Sequence, residues 1–237
     1  HTYTSSSKWN ISFDGSKNIV IKGASASGTI LDAEQKHRHF YFNASSSRSL
    51  LDTTFKIMNL TLKNGRPNSY DHGGSVKMDG YSLNGNKGHG PLFQNVVFES
   101  NQTKHSSDNT WIYGGAVNAR QSNPFFRDVT FKYNFSNRRG GAIYVENADT
   151  NKTITFERTK FISNYLVPYS GVWARGGAVY LGNVGKIIFE NSTFDSNYIK
   201  INGNCCTNQG GAIAINNTHD SLIVRNSKFR YNKVYAP

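Results

Sequence analysis

A repeat constrains this chain more than any other feature. The fragments PLFQNVVFESN, PFFRDVTFKYN, ITFERTKFISN, IIFENSTFDSN and LIVRNSKFRYN align, with FKIMNLTLKNG as a weaker copy. Their anchors are Leu62, Phe98, Phe131, Phe161, Phe194 and Phe229, spaced by 36, 33, 30, 33 and 35 residues. Five residues before each anchor stands Ile57, Phe93, Phe126, Phe156, Phe189 or Val224. A second series interleaves with the first: GGSVKM from Gly73, GGAVNA from Gly114, GGAIYV from Gly140, GGAVYL from Gly176 and GGAIAI from Gly210. A fixed period of this length marks a solenoid. Helical repeats need apolar residues every 3.6 positions, whereas these segments alternate with period 2.

Each repeat holds a Gly-Gly strand, a second strand such as KIIFE, and a short Phe strand ending at Asn. The expected fold is therefore all-β: a parallel β-helix of seven or eight coils, three short strands to a coil, stacked about 4.8 Å apart. In such a stack identical residues sit on identical residues. The anchors form an interior ladder, and the alanine after each glycine pair fits a narrow corner. The glycines allow φ > 0 and close backbone approach. The closing residues Asn101, Asn134, Asn164, Asn197 and Asn232 bond turn backbone and stack on one another. Residues 1–54 fit the plan loosely, with strands at NISF, NIVIKG, TILDA and HFYFNA, and residues 55–237 carry the clear repeats. One domain spans both.

These motifs resemble the repeat of the polymorphic outer-membrane protein family, and the coil pattern resembles the wider right-handed, pectin-lyase-like β-helix group. The resemblance implies a single-stranded right-handed β-helix and an exported, surface-exposed adhesin. It carries over no catalytic residue.

Members of the wider group include polygalacturonases and pectate lyases, so chemistry must be sought in a site. Polygalacturonases use clustered aspartates with Gly-His-Gly. Here His89 lies between Gly88 and Gly90, but in a glycine-rich loop and without an adjacent aspartate pair. Glycoside hydrolysis needs two carboxylates flanking one bond. Glu157 and Glu190 occupy equivalent positions in successive coils, but Gln94, Arg127 and Arg225 share their column. No acidic cluster has calcium-ligand spacing, and no Cys/His pattern suits zinc. The expectation is a non-enzyme without cofactor or metal.

Composition places the chain outside the membrane-spanning and nucleic-acid-binding classes. Only 18% of its 237 residues are charged, and no apolar run approaches the length of a spanning helix. The net charge of +12 is scattered singly, with Lys36, His37, Arg38 and His39 the densest cluster. That suits a solvated basic surface, or attraction to an anionic polysaccharide or acidic surface. The chain begins at His1 with no signal-like segment, as expected of a processed or excised piece.

Glycosylation sequons occur at Asn10, Asn43, Asn59, Asn151, Asn191 and Asn216, and also at the ladder members Asn101 and Asn134, where burial disfavours use. Asn59 and Asn191 share a column with Arg158, which suggests exposure. Cys205 and Cys206 are adjacent, too close for an unstrained bond to each other. They are either free thiols in a loop or inter-subunit links in an oxidising compartment.

The longest insertions fall between a closing Asn and the next Gly-Gly. They carry Trp111, Tyr113, Tyr169, Trp173, Arg175 and Tyr198. Equivalent insertions project from one edge of a solenoid, and aromatics beside cations suit sugar stacking or a protein contact. The pattern stops at KVYAP, leaving strand edges that would pair with other copies. The favoured reading is a glycosylated, secreted, cell-surface subunit stacking head to tail into a filament. The alternatives are an adhesin or polysaccharide-binding module and, behind it, a polysaccharide lyase or hydrolase.

Overall fold

The computed structural model describes residues 2–4, 10–14, 18–43, 52–67, 71–80, 88–103, 111–169, 172–201 and 208–236. The chain is a parallel β-solenoid with no helix among these residues. Seven strands, from Ile11–Asp14 to Ile213–Thr218, stack into one sheet that carries the Gly-Gly motifs. Successive members are one turn apart, so the chain makes about six turns rather than the expected seven or eight.

A broad sheet of thirteen strands carries both Phe rows, and a narrow sheet of five follows the closing asparagines. From Gln102–Thr103 onward each coil thus has four strand segments, as in Val179–Val184, Lys186–Glu190, Thr193–Asp195 and Tyr198–Lys200. The expectation of three missed the short segment after each closing Asn. That segment still pairs in register, Phe135 with Tyr165 and Tyr165 with Tyr198.

The corners explain the repeat. Within a pair such as Gly140-Gly141 the two glycines have different causes. Gly140 has φ +63°, a left-handed conformation that side chains disfavour, and a Cβ there would also meet the Ile143 carbonyl oxygen of its own turn. Gly141 has ordinary φ, but a Cβ there would fall inside the carbonyl oxygen of Gly177 on the next coil. The corner between the two Phe rows is also left-handed, with φ of 48–55° at Asn59, Asn95, Asp128, Arg158, Asn191 and Asn226. Asparagine and aspartate tolerate that region best among non-glycine residues.

The interior is filled by two aromatic ladders. Phe98, Phe131, Phe161, Phe194 and Phe229 stack with ring centroids 4.6–5.1 Å apart and planes within 8° of parallel. Leu62 begins this row fully buried, whereas Phe229, on the last coil, is 48% exposed. Phe93, Phe126, Phe156 and Phe189 form the second row and meet the first edge-on, as where Phe189 contacts Phe194 at 77°.

Beside them runs a buried asparagine ladder. Asn134 Oδ1 accepts from both the backbone N–H and the side-chain NH2 of Asn101, each at 3.0 Å. Asn134 in turn donates to Asn164 Oδ1 and to the Phe98 carbonyl. Asn164, Asn197 and Asn232 continue the pattern. Every polar atom of such an amide is thereby satisfied where water cannot reach.

Candidate functional site: an aromatic and arginine face

Residues at one outward position of the Gly-Gly sheet line up along the solenoid as Tyr41, Lys77, Asn118, Tyr144, Tyr180 and Ala214. Just before each glycine pair, parallel bridges align Tyr113, Arg139, Arg175 and Gln209. The two columns meet at the edge where the loops enter the sheet. There His72, Tyr113, Tyr144 and Tyr180 form a continuous stack. His72 lies 5.1 Å from Tyr113, Tyr113 lies 4.5 Å from Tyr144, and Tyr144 lies 5.1 Å from Tyr180. The side chains point outward, yet Tyr144 and Tyr180 are each only 1% exposed. Arg139 helps cover them, its guanidinium 4.9 Å from the Tyr180 ring and 5.4 Å from that of Tyr113.

A cavity of about 300 Å³ opens beside this stack, lined by His72, Trp111, Tyr113, Arg120, Arg139, Tyr144 and Glu146. Glu146 is its one carboxylate among the described residues; it sits 3.8 Å from Arg139 and bonds the Tyr144 hydroxyl. Burial, with Glu146 adding to it, pushes the Tyr144 phenol well above its ordinary range, so it stays protonated as a donor. Burial works to lower the Arg139 guanidinium, but the Tyr180, Tyr113 and Tyr144 oxygens more than offset it and the net shift is upward. Burial holds His72 at about 4, neutral at physiological pH. The charge of the pocket is therefore that of its arginines less Glu146.

Several polar atoms here lack partners. The Nε atoms of Arg138, Arg139 and Arg175, and both side-chain polar atoms of the fully buried Asn118, have no hydrogen-bond partner among the described residues. Unsatisfied buried groups of this kind are uncommon and costly. Two indoles flank the arginines: Arg138 lies 3.4 Å over the Trp111 ring, and Arg175 lies 5.5 Å from that of Trp173. Trp111 and Trp173 are 57% and 50% exposed.

The structure thus brings Trp111, Tyr113, Trp173 and Arg175 to one edge. Tyr198 belongs to a separate stack on the narrow sheet, between Tyr165 and Tyr235. Tyr169 is half-buried, its carbonyl accepting from Val172 N–H. Cys205 and Cys206 lie outside the described residues. Sequence reasoning missed His72, Arg138, Arg139, Tyr144, Tyr180 and Glu146. The available signal was Tyr at the same outward position in GGAIYV and GGAVYL, with two arginines immediately before the former.

Among the sequon asparagines, Asn10, Asn151, Asn191 and Asn216 are exposed, and Asn43 and Asn59 are half-buried. Asn59 is also a left-handed corner residue whose Oδ1 accepts from Asn95. Asn101 and Asn134 are 0% exposed, their amides spent on the ladder.

The carboxylates considered for catalysis are engaged. Glu157 and Glu190 pair in register, but Glu157 is held by Arg127 at 2.8 Å and by Arg158, and Glu190 lies 3.5 Å from Arg225. The hydrogen bond from Arg127 is the main influence holding the Glu157 carboxyl below its ordinary range. The His89 side chain lies outside the described residues. No group of three or more candidate metal ligands occurs among the described residues, nor does a helix long and apolar enough to cross a membrane.

Residues 128–146 match the Chlamydia polymorphic membrane protein repeat. The matched stretch runs from the Asp128 corner through Phe131 and Asn134 to Glu146, so it includes Arg138, Arg139 and Tyr144 of the face. The chain thus carries a repeat of this kind within a parallel β-solenoid. No curated protein and no solved structure shows significant similarity to it.

Proposed function

We propose that the protein is a non-enzymatic, cell-surface β-solenoid whose loop-side edge binds acidic carbohydrate. The observation that carries this reading is the pair of exposed indoles, Trp111 and Trp173, set beside half-buried arginines. Exposed indoles offer stacking faces for sugar rings, and arginines offer paired donors to a carboxylate or sulfate. The surface location draws support from the match to a membrane-protein repeat. The non-catalytic role draws support from the ion pairs that occupy Glu157 and Glu190.

Binding stands ahead of the filament subunit favoured on sequence alone, because this edge gives binding a geometric basis. Affinity chromatography on immobilised acidic polysaccharide tests it. The protein should be retained at low salt, released as salt screens the arginines, and ignored by a neutral polysaccharide matrix. Arg139→Gln should elute markedly earlier while melting as a folded protein. Equal retention of the variant, or no retention of the wild type, would refute the reading.

A further inference from the structure

We infer that the ligand is a linear acidic polysaccharide lying parallel to the solenoid axis, with sugar rings stacked on both Trp111 and Trp173 and acid groups paired to the arginines between them. The inference rests on the acidic-carbohydrate reading and adds an orientation and a minimum length to it.

Register carries the orientation. Trp111 stands two residues before Tyr113, and Trp173 stands two before Arg175, in the column where Tyr113, Arg139 and Arg175 bridge coil to coil. The indoles therefore share one offset and sit two coils apart, about 9.6 Å along the axis from the inter-strand spacing. That is comparable to the length of a disaccharide unit. The residue at the same offset on the intervening coil is Asn137, which is buried. The edge thus presents two aromatic platforms separated by one recessed step. A rigid chain of pyranoses fits such a row, and a compact ligand would fill one end of it.

Charge carries the chemistry. Arg138, Arg139 and Arg175 lie half-buried along the same stretch. Arg138 covers one face of the Trp111 indole, so a sugar takes the other. A neutral glycan laid over this row would strip water from the guanidiniums and return only hydrogen bonds to uncharged oxygens, weaker than those an acid group accepts. A polymer with an acid group on each unit or each second unit places anions against the partly exposed guanidinium groups.

The test is calorimetric titration at low salt of the full chain with oligogalacturonates and with heparin oligosaccharides of two, four and eight units, and with neutral chitooligosaccharides of equal length. The two acidic series separate carboxylate from sulfate as the source of charge. Four- and eight-unit acidic oligomers should bind and two-unit ones should bind much more weakly, with the neutral series silent. Trp111→Ala and Trp173→Ala, both at exposed positions, should each weaken octamer binding roughly three- to tenfold, with melting unchanged.

Two results would overturn the axial arrangement while leaving acidic binding intact. One is a dimer that binds as tightly as the octamer. The other is Trp173→Ala matching the wild type on the octamer while Arg139→Gln loses it. If neither acidic series binds, the orientation and the underlying reading both fall.

Discussion

At the scale of single residues, both glycines of a pair resist replacement because a Cβ would meet a backbone carbonyl, and the first adds left-handed strain. Gly140→Ala adds a methyl group in a left-handed conformation, which costs about 1–2 kcal/mol, and also drives its Cβ into the Ile143 carbonyl. Gly141→Ala drives a Cβ into the Gly177 carbonyl, so two coils must separate locally. Overpacking against backbone belongs at or beyond the upper end of the usual range, about 3 kcal/mol. Urea denaturation should show both variants losing about 3 kcal/mol or more, and a loss under about 1 kcal/mol for either would contradict the geometry.

His39 gives a second residue-scale outcome. It is fully buried, its Nε2 donating to the Leu31 carbonyl and its Nδ1 accepting from Ser75, the one serine in the Gly-Gly-Ala series. Burial lowers its pKa from 6.5 to about 4. The unfolded chain therefore binds the proton more readily than the folded one. The stabilisation is fully present above pH 6.5 and is lost as pH falls towards 4. The loss for His39 is on the order of 3 kcal/mol. His72, also held at about 4, adds to the same window. Thermal melts from pH 7 to pH 4 should show the decline, and His39→Gln should flatten part of it; an unchanged slope would refute the assignment.

At the scale of elements, the ladders bind the coils together. Asn164→Ala removes the acceptor for Asn134 N–H and NH2 and the donor to the Phe131 carbonyl and Asn197, all buried. At about 1–3 kcal/mol for each buried group left unpaired, the variant should lose several kcal/mol. Asn232→Ala, in the half-exposed last coil, should lose about 1 kcal/mol. Guanidinium denaturation of the two variants measures the contrast, and similar losses would argue against a buried ladder.

These ladders were legible in the sequence because a residue type returns at one spacing: Phe on Phe, Asn on Asn, Gly-Gly on Gly-Gly. The left-handed corners were hidden by Arg158. One arginine among asparagines and an aspartate pointed to exposure, which holds for all but the half-buried Asn59, but it masked the left-handed backbone the column shares. The Tyr144–Tyr180 stack was hidden for a related reason. Its column changes residue type along the rod, from Lys77 through Asn118 to Ala214, and an outward position in a strand ordinarily faces water. Neighbouring rings and Arg139 cover that position, and Arg139 is placed by an irregular loop entry that alternation does not predict.

At the scale of the whole molecule, each coil presents its neighbours with the same set of partners. Val117 pairs with Ile143, and Ile143 pairs with Val179; Phe126, Phe156 and Phe189 follow suit, as do Phe131, Phe161 and Phe194. A rod of this kind is nearly additive in its coils. The consequence is genetic. Excising residues 140–175 would join Arg139 to Gly176, just as Arg175 precedes that glycine now, and would set Phe131 on Phe194 and Asn134 on Asn197. The shortened gene should encode a cooperatively melting protein one turn shorter, checked by circular dichroism; a molten product would count against interchangeable coils. Recombination between repeats can therefore lengthen or shorten this molecule by whole turns without composing a new core, so its reach is a trait that heredity can adjust one turn at a time.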